Sequence, residues 1–227
     1  MKTIGVLGGM GPESTALFFQ RIIQLTPAQK DQDHIPVIIY SDPQIPDRSK
    51  AILEHGPSPL LALVKGIEML EKAGSDFICI PCNTVHYYFK RMESASHVPL
   101  INLIEEMVNV TLNEYDNVKN VGLLATIGTV KTKIYQKAFQ KENIKVVVPD
   151  DWELNDLHSA ILRLKGQSQN SYSILKFAEN LIKKEIQVLL LGCTELSLIR
   201  SHLSLKVPII DSVDVLAKKA VNLALNL

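Results

Sequence analysis

Phe77-Ile78-Cys79-Ile80-Pro81-Cys82-Asn83-Thr84-Val85-His86 is an apolar run that stops at a proline and hands over to a thiol, an amide and a hydroxyl. The four residues before Pro81 read as a buried strand, and Pro81, with no N–H to give a ladder, ends it. The aromatic segment 85–89 that follows has helical potential. The pattern recurs. Val188-Leu189-Leu190-Leu191 is a second apolar run, and it ends in Gly192-Cys193-Thr194-Glu195-Leu196. A second echo accompanies the first. Ile4-Gly5-Val6-Leu7-Gly8-Gly9 and Val121-Gly122-Leu123-Leu124-Ala125-Thr126 each read as a strand that meets a small-residue turn. The two echoes have nearly the same spacing, and loop lengths absorb the difference. The chain therefore reads as two similar halves, each setting one cysteine at the carboxyl end of a strand.

Strand and helix alternate through the rest of the chain. Strands are expected over 3–7, 37–40, 98–103, 121–126, 145–148 and 207–210. Helices are expected over about 12–25, 57–72, 103–113, 129–141, 152–164, 172–183 and 211–225. This predicts an α/β fold of two pseudo-symmetric domains, each a mainly parallel sheet flanked by helices. Ligands bind at the carboxyl ends of such strands, so the functional site is expected in the cleft between the domains. The expected division groups 1–98 with 211–227 around Cys82, and 99–210 around Cys193.

Bulk composition narrows the class. The chain has 227 residues, with 24 Lys+Arg against 24 Asp+Glu and a formal net charge of zero. That balance argues against a nucleic-acid partner, which needs clustered basic charge. Three cysteines are too few for a disulfide framework, so a reducing, cytoplasmic setting is expected. Met1 to Gly5 begins a strand at once and carries no signal-peptide core, and no apolar run is long enough to span a membrane.

Cys82 is either a small buried hydrophobe or a reactive thiol favoured by the backbone N–H groups where a strand hands over to a helix. The echo at Cys193 favours the reactive reading. Two thiols facing one ligand from opposite sides can remove a proton from one face of a carbon and return one to the other. Asn83, Thr84, Thr126 and Thr194, with turn amides, are the donors available to steady the developing carbanion. Metal binding is the rival use of Cys79, Cys82, His86 and Cys193. With Cys79 inside a strand, however, its α-carbon lies roughly 10 Å from that of Cys82, too far for one tetrahedral ion. No metal is therefore expected, and Cys79 reads as core. His86 either tunes the thiol or sits on a helix surface. Gly8-Gly9-Met10-Gly11-Pro12 is a strand-to-helix turn whose amides are placed to hold a carboxylate, although it matches neither a dinucleotide fingerprint nor a P-loop. Arg48, after the stiff segment Pro43-Gln44-Ile45-Pro46-Asp47, is either a surface residue or a carboxylate clamp.

Together with Ala125-Thr126-Ile127-Gly128-Thr129, these motifs resemble, in order and across nearly the whole chain, the aspartate/glutamate racemase superfamily, and in particular archaeal-type aspartate racemases. The resemblance implies racemisation by two thiols without a cofactor, a two-domain α/β fold and a homodimer. It implies Cys82 and Cys193 as the bases. It implies Asn83, Thr84 and Thr194 as holders of the substrate's carboxylate and amino group, and Arg48 as clamp for the distal carboxylate. Met10, Gln44, Thr126 and Glu195 fall in the matched motifs as further substrate contacts, and Lys165 falls where similar enzymes set a second basic residue. Two departures stand out. Gly9-Met10-Gly11 replaces the Asp-Ser-Gly turn of glutamate racemases, and Glu195 replaces the histidine after their second Cys-Thr. The expected substrate is aspartate, with glutamate second. The alternatives are a non-acidic amino acid or hydantoin racemised by the same mechanism, and a protein that binds small carboxylates without catalysis.

Overall fold

The structure, a computed structural model, describes residues 1–165 and 172–227, and the side chains of Lys165 and Tyr172 fall outside that description. Strands β1 (Ile4–Gly8), β2 (Val37–Ser41) and β3 (Phe77–Cys79) form one parallel sheet in the order β2-β1-β3. Strands β4 (Asn120–Leu124), β5 (Lys145–Val147), β6 (Val188–Leu191) and β7 (Ile209–Asp211) form a second parallel sheet in the order β5-β4-β6-β7. The first three strands of each order correspond, as the paired echoes require.

The strand expected over 98–103 shrinks to one bridge, Leu100 to Ile78, at the place β7 holds in the other sheet. Pro99 gives its carbonyl to Ile78 N–H there, as Pro208 does to Leu189 N–H beside β6. Val98-Pro99-Leu100-Ile101-Asn102 and Val207-Pro208-Ile209-Ile210-Asp211 are thus a third echo.

Side chains alternate across both sheets, as the period of two dictates. Ile4, Val6, Phe77 and Cys79 face the same core as Val121, Leu123, Val188 and Leu190. Leu7, Ile78 and Ile80 face the outer layer of the first half, and Leu124, Leu189 and Leu191 that of the second. Cys79 is fully buried in the shared core, as a packing residue, and burial pushes its thiol far above the usual range.

The helices are α1 (Pro12–Leu25), α2 (Arg48–Leu53), α3 (Leu60–Lys72), α4 (Phe89–Glu93), α5 (Leu103–Glu114), α6 (Ile127–Thr132), α7 (Ile134–Gln140), α8 (Asp151–Lys165), α9 (Tyr172–Ile182), α10 (Thr194–Ser197) and α11 (Ser212–Leu225). The single helix expected to run to 141 is broken at Lys133, whose φ of 58° is left-handed and separates α6 from α7. The aromatic segment 85–89 is a 3₁₀ turn, Thr84–Tyr88, that runs into α4.

The closing helices cross over. After Asn102 caps its N-terminus, α5 packs on α7, whereas α11, capped by Asp211, packs on α1 and α5. Val213, Leu216, Ala217, Ala220, Val221 and Ala224 recur at helical spacing and are all buried, which sets the face of α11 that seals the two halves together. Burying a side chain the size of Leu216 contributes about 1.5–3 kcal/mol. Among the described residues no helix is long and apolar enough to cross a membrane.

Candidate active site

Cys82 and Cys193 line one cavity between the halves, with Met10, Arg48, Ser49, Asn83, Thr84, Thr126, His158, Leu162, Thr194 and Glu195. The cavity is closed down to about 20 Å³, room for about one water molecule. Larger cavities of about 340 and 500 Å³ lie elsewhere and contain neither cysteine. Nearly all the polar wall is buried: Cys82 and Cys193 are each 5% exposed, and Asn83, Thr84, Thr126, Thr194 and Glu195 are buried with them.

Each half supplies its thiol on a loop that leaves a strand end. After β3, Pro81 stops the ladder and Cys82 N–H turns back to Ile80 O at 2.8 Å. The helical element after Cys82 is only a 3₁₀ turn, and the one after Cys193 is the four-residue α10. The helix-dipole setting expected for the thiols is correspondingly slight, because the dipole grows with aligned peptide units.

His86 takes neither role left open by the sequence. It is 5% exposed, its Nδ1–H donates to Cys82 O at 2.8 Å, and its Nε2 accepts from Leu103 N–H at 3.1 Å. Burial lowers it to about 4, against the raising effect of its bond to the Cys82 carbonyl, so the ring is neutral. Its work is to pin the Cys82 loop to the start of α5.

The first glycine turn is also committed internally. Gly9 N–H donates to Thr15 Oγ1 at 2.9 Å, and Thr15 Oγ1 donates to Gly11 O at 2.9 Å, so Gly9 N–H is not open to a carboxylate. Gly9 has φ +91°, and a Cβ there would lie 2.3 Å from the Asp42 backbone, so only glycine fits. This close approach brings Met10 against the 42–48 loop, where Arg48 is held.

Arg48 is 8% exposed. Its Nη1 donates to Ile45 O and Pro46 O at 3.3 and 3.2 Å, and its Nη2 to Met10 O at 3.3 Å. The stiffness that Pro43 and Pro46 give this loop fixes those carbonyls. The guanidinium is therefore held before any ligand arrives, and its buried Nε–H has no hydrogen-bond partner. Among the described residues no carboxylate pairs with it. A buried, uncompensated cation is costly unless an anion joins it.

Thr84 meets the second half directly. Its Oγ1 lies 2.9 Å from Thr126 Oγ1 and 2.8 Å from Thr129 Oγ1, and the last two are 3.1 Å apart. At Gly128 an added Cβ would fall 2.5 Å from Ser49 Oγ, so the missing side chain lets α2 close on α6 over the cavity. On the Cys193 side, Sγ lies 2.9 Å from Glu195 Oε2, and Thr194 Oγ1 is 3.5 Å from the same oxygen. Two negative atoms do not sit at that distance, so this pair shares a proton. Ser197, three residues on from Thr194, donates to Asp211 Oδ1 at 2.6 Å, and Val213 N–H donates to the same oxygen at 2.8 Å.

Of the residues singled out from sequence, Met10, Arg48, Cys82, Asn83, Thr84, Thr126, Cys193, Thr194 and Glu195 meet at this cavity. Gln44 does not: its side chain is exposed on the proline loop, and only its N–H is engaged, donating to Asp42 Oδ1. The Lys165 side chain lies outside the described residues. Ser49, His158 and Leu162 also line the cavity and had no signal beyond the i, i+4 spacing that puts the last two on one face of α8. Asp211 and Ser212 were legible only in the Val-Pro echo.

Residues 7–220 match the family model for Asp/Glu/hydantoin racemases. The broad-specificity amino-acid racemase RacX of Bacillus subtilis is 32% identical over 226 residues, 96% of each chain. Among solved structures, the Picrophilus torridus aspartate racemase is 34% identical with a TM-score of 0.89 over 99% of this chain and 94% of that one. The glutamate racemase RacE1 of Bacillus anthracis, 21% identical with a TM-score of 0.72 over 99% of this chain and 82% of its own, shares the fold.

Proposed function

This chain belongs to the Asp/Glu/hydantoin racemase family, and we propose that it interconverts L- and D-aspartate by a two-thiol mechanism without a cofactor. One observation carries the reading: the cysteines of the two halves line a single small cavity together with a buried guanidinium that no carboxylate neutralises among the described residues. One sulfur, as thiolate, takes the Cα proton. The other, as thiol, delivers its proton to the opposite face, so each turnover moves one proton off carbon and one on. The next turnover in the same direction needs the two sulfurs to exchange protons with their surroundings.

On this reading the Cys193 S–H, hydrogen-bonded to Glu195 Oε2, is the proton donor and Cys82 serves as the base. Glu195 then accepts the proton when Cys193 must act as base. The carbanion formed between the sulfurs carries its charge into the α-carboxylate, where fixed donors are worth most. Arg48 meets the distal carboxylate, and a charge-assisted pair in so dry a setting selects acidic substrates. Glutamate is a second substrate on this reading, because one methylene alters binding by only about 1–3 kcal/mol. A cavity of about 20 Å³ is smaller than either, so binding requires it to open.

The test is exchange in D2O with L-aspartate and no added cofactor. Deuterium should appear at Cα of both enantiomers, and Arg48→Ala should lower kcat/KM for aspartate about 10–100-fold while leaving alanine nearly unchanged. A purified, folded protein that binds aspartate without exchange would make it a carboxylate-binding protein instead.

A further inference from the structure

Among the described residues Asn83 is the one side-chain amide lining the cavity, and it follows Cys82 directly in the chain. An Asn side chain has two N–H donors and one carbonyl oxygen, and it presents either edge unless its neighbours decide. Here one edge is held by α7 of the second half and the other by the closing helix α11. Tyr135 in α7 donates its O–H to Asn83 Oδ1 at 2.6 Å. Asn83 Nδ2 donates to Oγ of Ser212, the first residue of α11, at 3.0 Å. Tyr135 and Ser212 are fully buried and Asn83 is 2% exposed, so none of these bonds competes with bulk water. Burial, with the nearby Asp211 carboxylate adding to it, pushes the Tyr135 phenol well above its usual range and keeps it protonated. The ring is steadied by stacking on Phe139 at 6.3 Å between centroids. With these bonds made, one N–H of Asn83 remains for an occupant of the cavity.

We infer that Tyr135 and Ser212 are positioning residues that act through Asn83, committing it to donate one N–H to the substrate's α-carboxylate beside Cys82. The inference rests on the racemase reading above. Loss of the Cα proton drives negative charge onto that carboxylate, and a donor already fixed in place is worth more as the charge grows. An amide left to turn over would present its oxygen instead and repel the same group. The arrangement ties the amide beside one base to α7 of the other half and to α11, so Asn83 takes its working orientation only when these two helices are packed against its loop.

The test is a pair of double-mutant cycles read by kcat, KM and D2O exchange with aspartate. Tyr135→Phe removes one O–H and keeps the ring, and Ser212→Ala removes the second hold. Each is measured in the parent protein and in Asn83→Ala. Tyr135→Phe is expected to lower kcat about tenfold with KM changed less than about threefold, since small misplacements act on the chemical step. In the Asn83→Ala background the further loss should be under about twofold, because the two act as one unit. Should Asn83→Ala leave no measurable turnover, the same cycle is read in aspartate affinity by calorimetry, with the same expectation. Equal losses in both backgrounds, no loss in either single variant, or collapse of the fold in both would overturn the inference. Absence of exchange in the parent protein overturns the racemase reading itself, whereas exchange with independent effects overturns only the positioning role.

Discussion

The Cys82 loop and the Cys193 loop leave corresponding strands of two corresponding sheets, yet they are held by different chemistry. Around Cys82 the partners are neutral: Tyr135, Thr126 and Thr129 of the other half, Ser212 at the start of α11, and the neutral His86 behind the Cys82 carbonyl. Around Cys193 the contacts include carboxylates: Glu195 two residues away, and Asp211 under Ser197 of the same helical turn. The residues that close the two sheets repeat the contrast, with neutral Asn102 capping α5 and acidic Asp211 capping α11. Duplication gives two thiols at equivalent places. Divergence surrounds them with unequal partners, a difference that the proposed two-base mechanism would use to tell donor from base.

The severest way to break this comparison is to remove each sulfur in turn. Cys82→Ser and Cys193→Ser should each lower racemisation by about 10²–10⁴-fold with the fold intact, as chiral chromatography and thermal melting would register. Full activity in either variant would end the two-base reading.

Glu195→Gln sharpens the contrast further. It removes the acceptor that shares the Cys193 proton while leaving a side chain of the same shape, and a loss of about tenfold is expected. Because the two enantiomers have equal free energy, kcat/KM must stay equal in the two directions. The asymmetry should therefore appear as unequal changes in kcat and KM between L- and D-aspartate. Identical changes in both directions would mean that Glu195 does not favour one base.

The smallest expected effect is on stability. Burial raises the Asp211 carboxyl from its ordinary 3.8 to about 6, against the lowering by Ser197 and Val213. Between those values the folded state binds more proton than the unfolded state, so this group's contribution to stability falls as pH rises through about 6. Asp211→Asn, which can still accept from Ser197 and Val213, should flatten that slope by roughly 1–2 kcal/mol in denaturant titrations at pH 5 and pH 8. A slope unchanged by the substitution would place its origin elsewhere.

Much of this was readable along the chain. Apolar runs ending in Pro81-Cys82 and Gly192-Cys193 fixed the strands and the thiols at their ends, because strand formation and its termination depend on neighbours in sequence. The same short-range signals found α1 and β6 at their observed bounds, Pro12–Leu25 and Val188–Leu191. They failed where backbone conformation departs from residue preference, as at Lys133, whose left-handed φ no lysine advertises. They failed again at 98–103, where strand-like composition yields a single bridge.

Only the tertiary structure decided which side chains meet. Gln44 and Arg48 belong to one motif, yet Arg48 turns inward to three backbone carbonyls while Gln44 stays in solvent. Tyr135 and Ser212 lie far from Asn83 in sequence and reach it because α11 packs on α1 and α5 and α7 packs on α5 and β5. Such meetings are set by the burial of whole helix faces against both sheets. That free energy is summed over the entire core, so no window of neighbouring residues contains it.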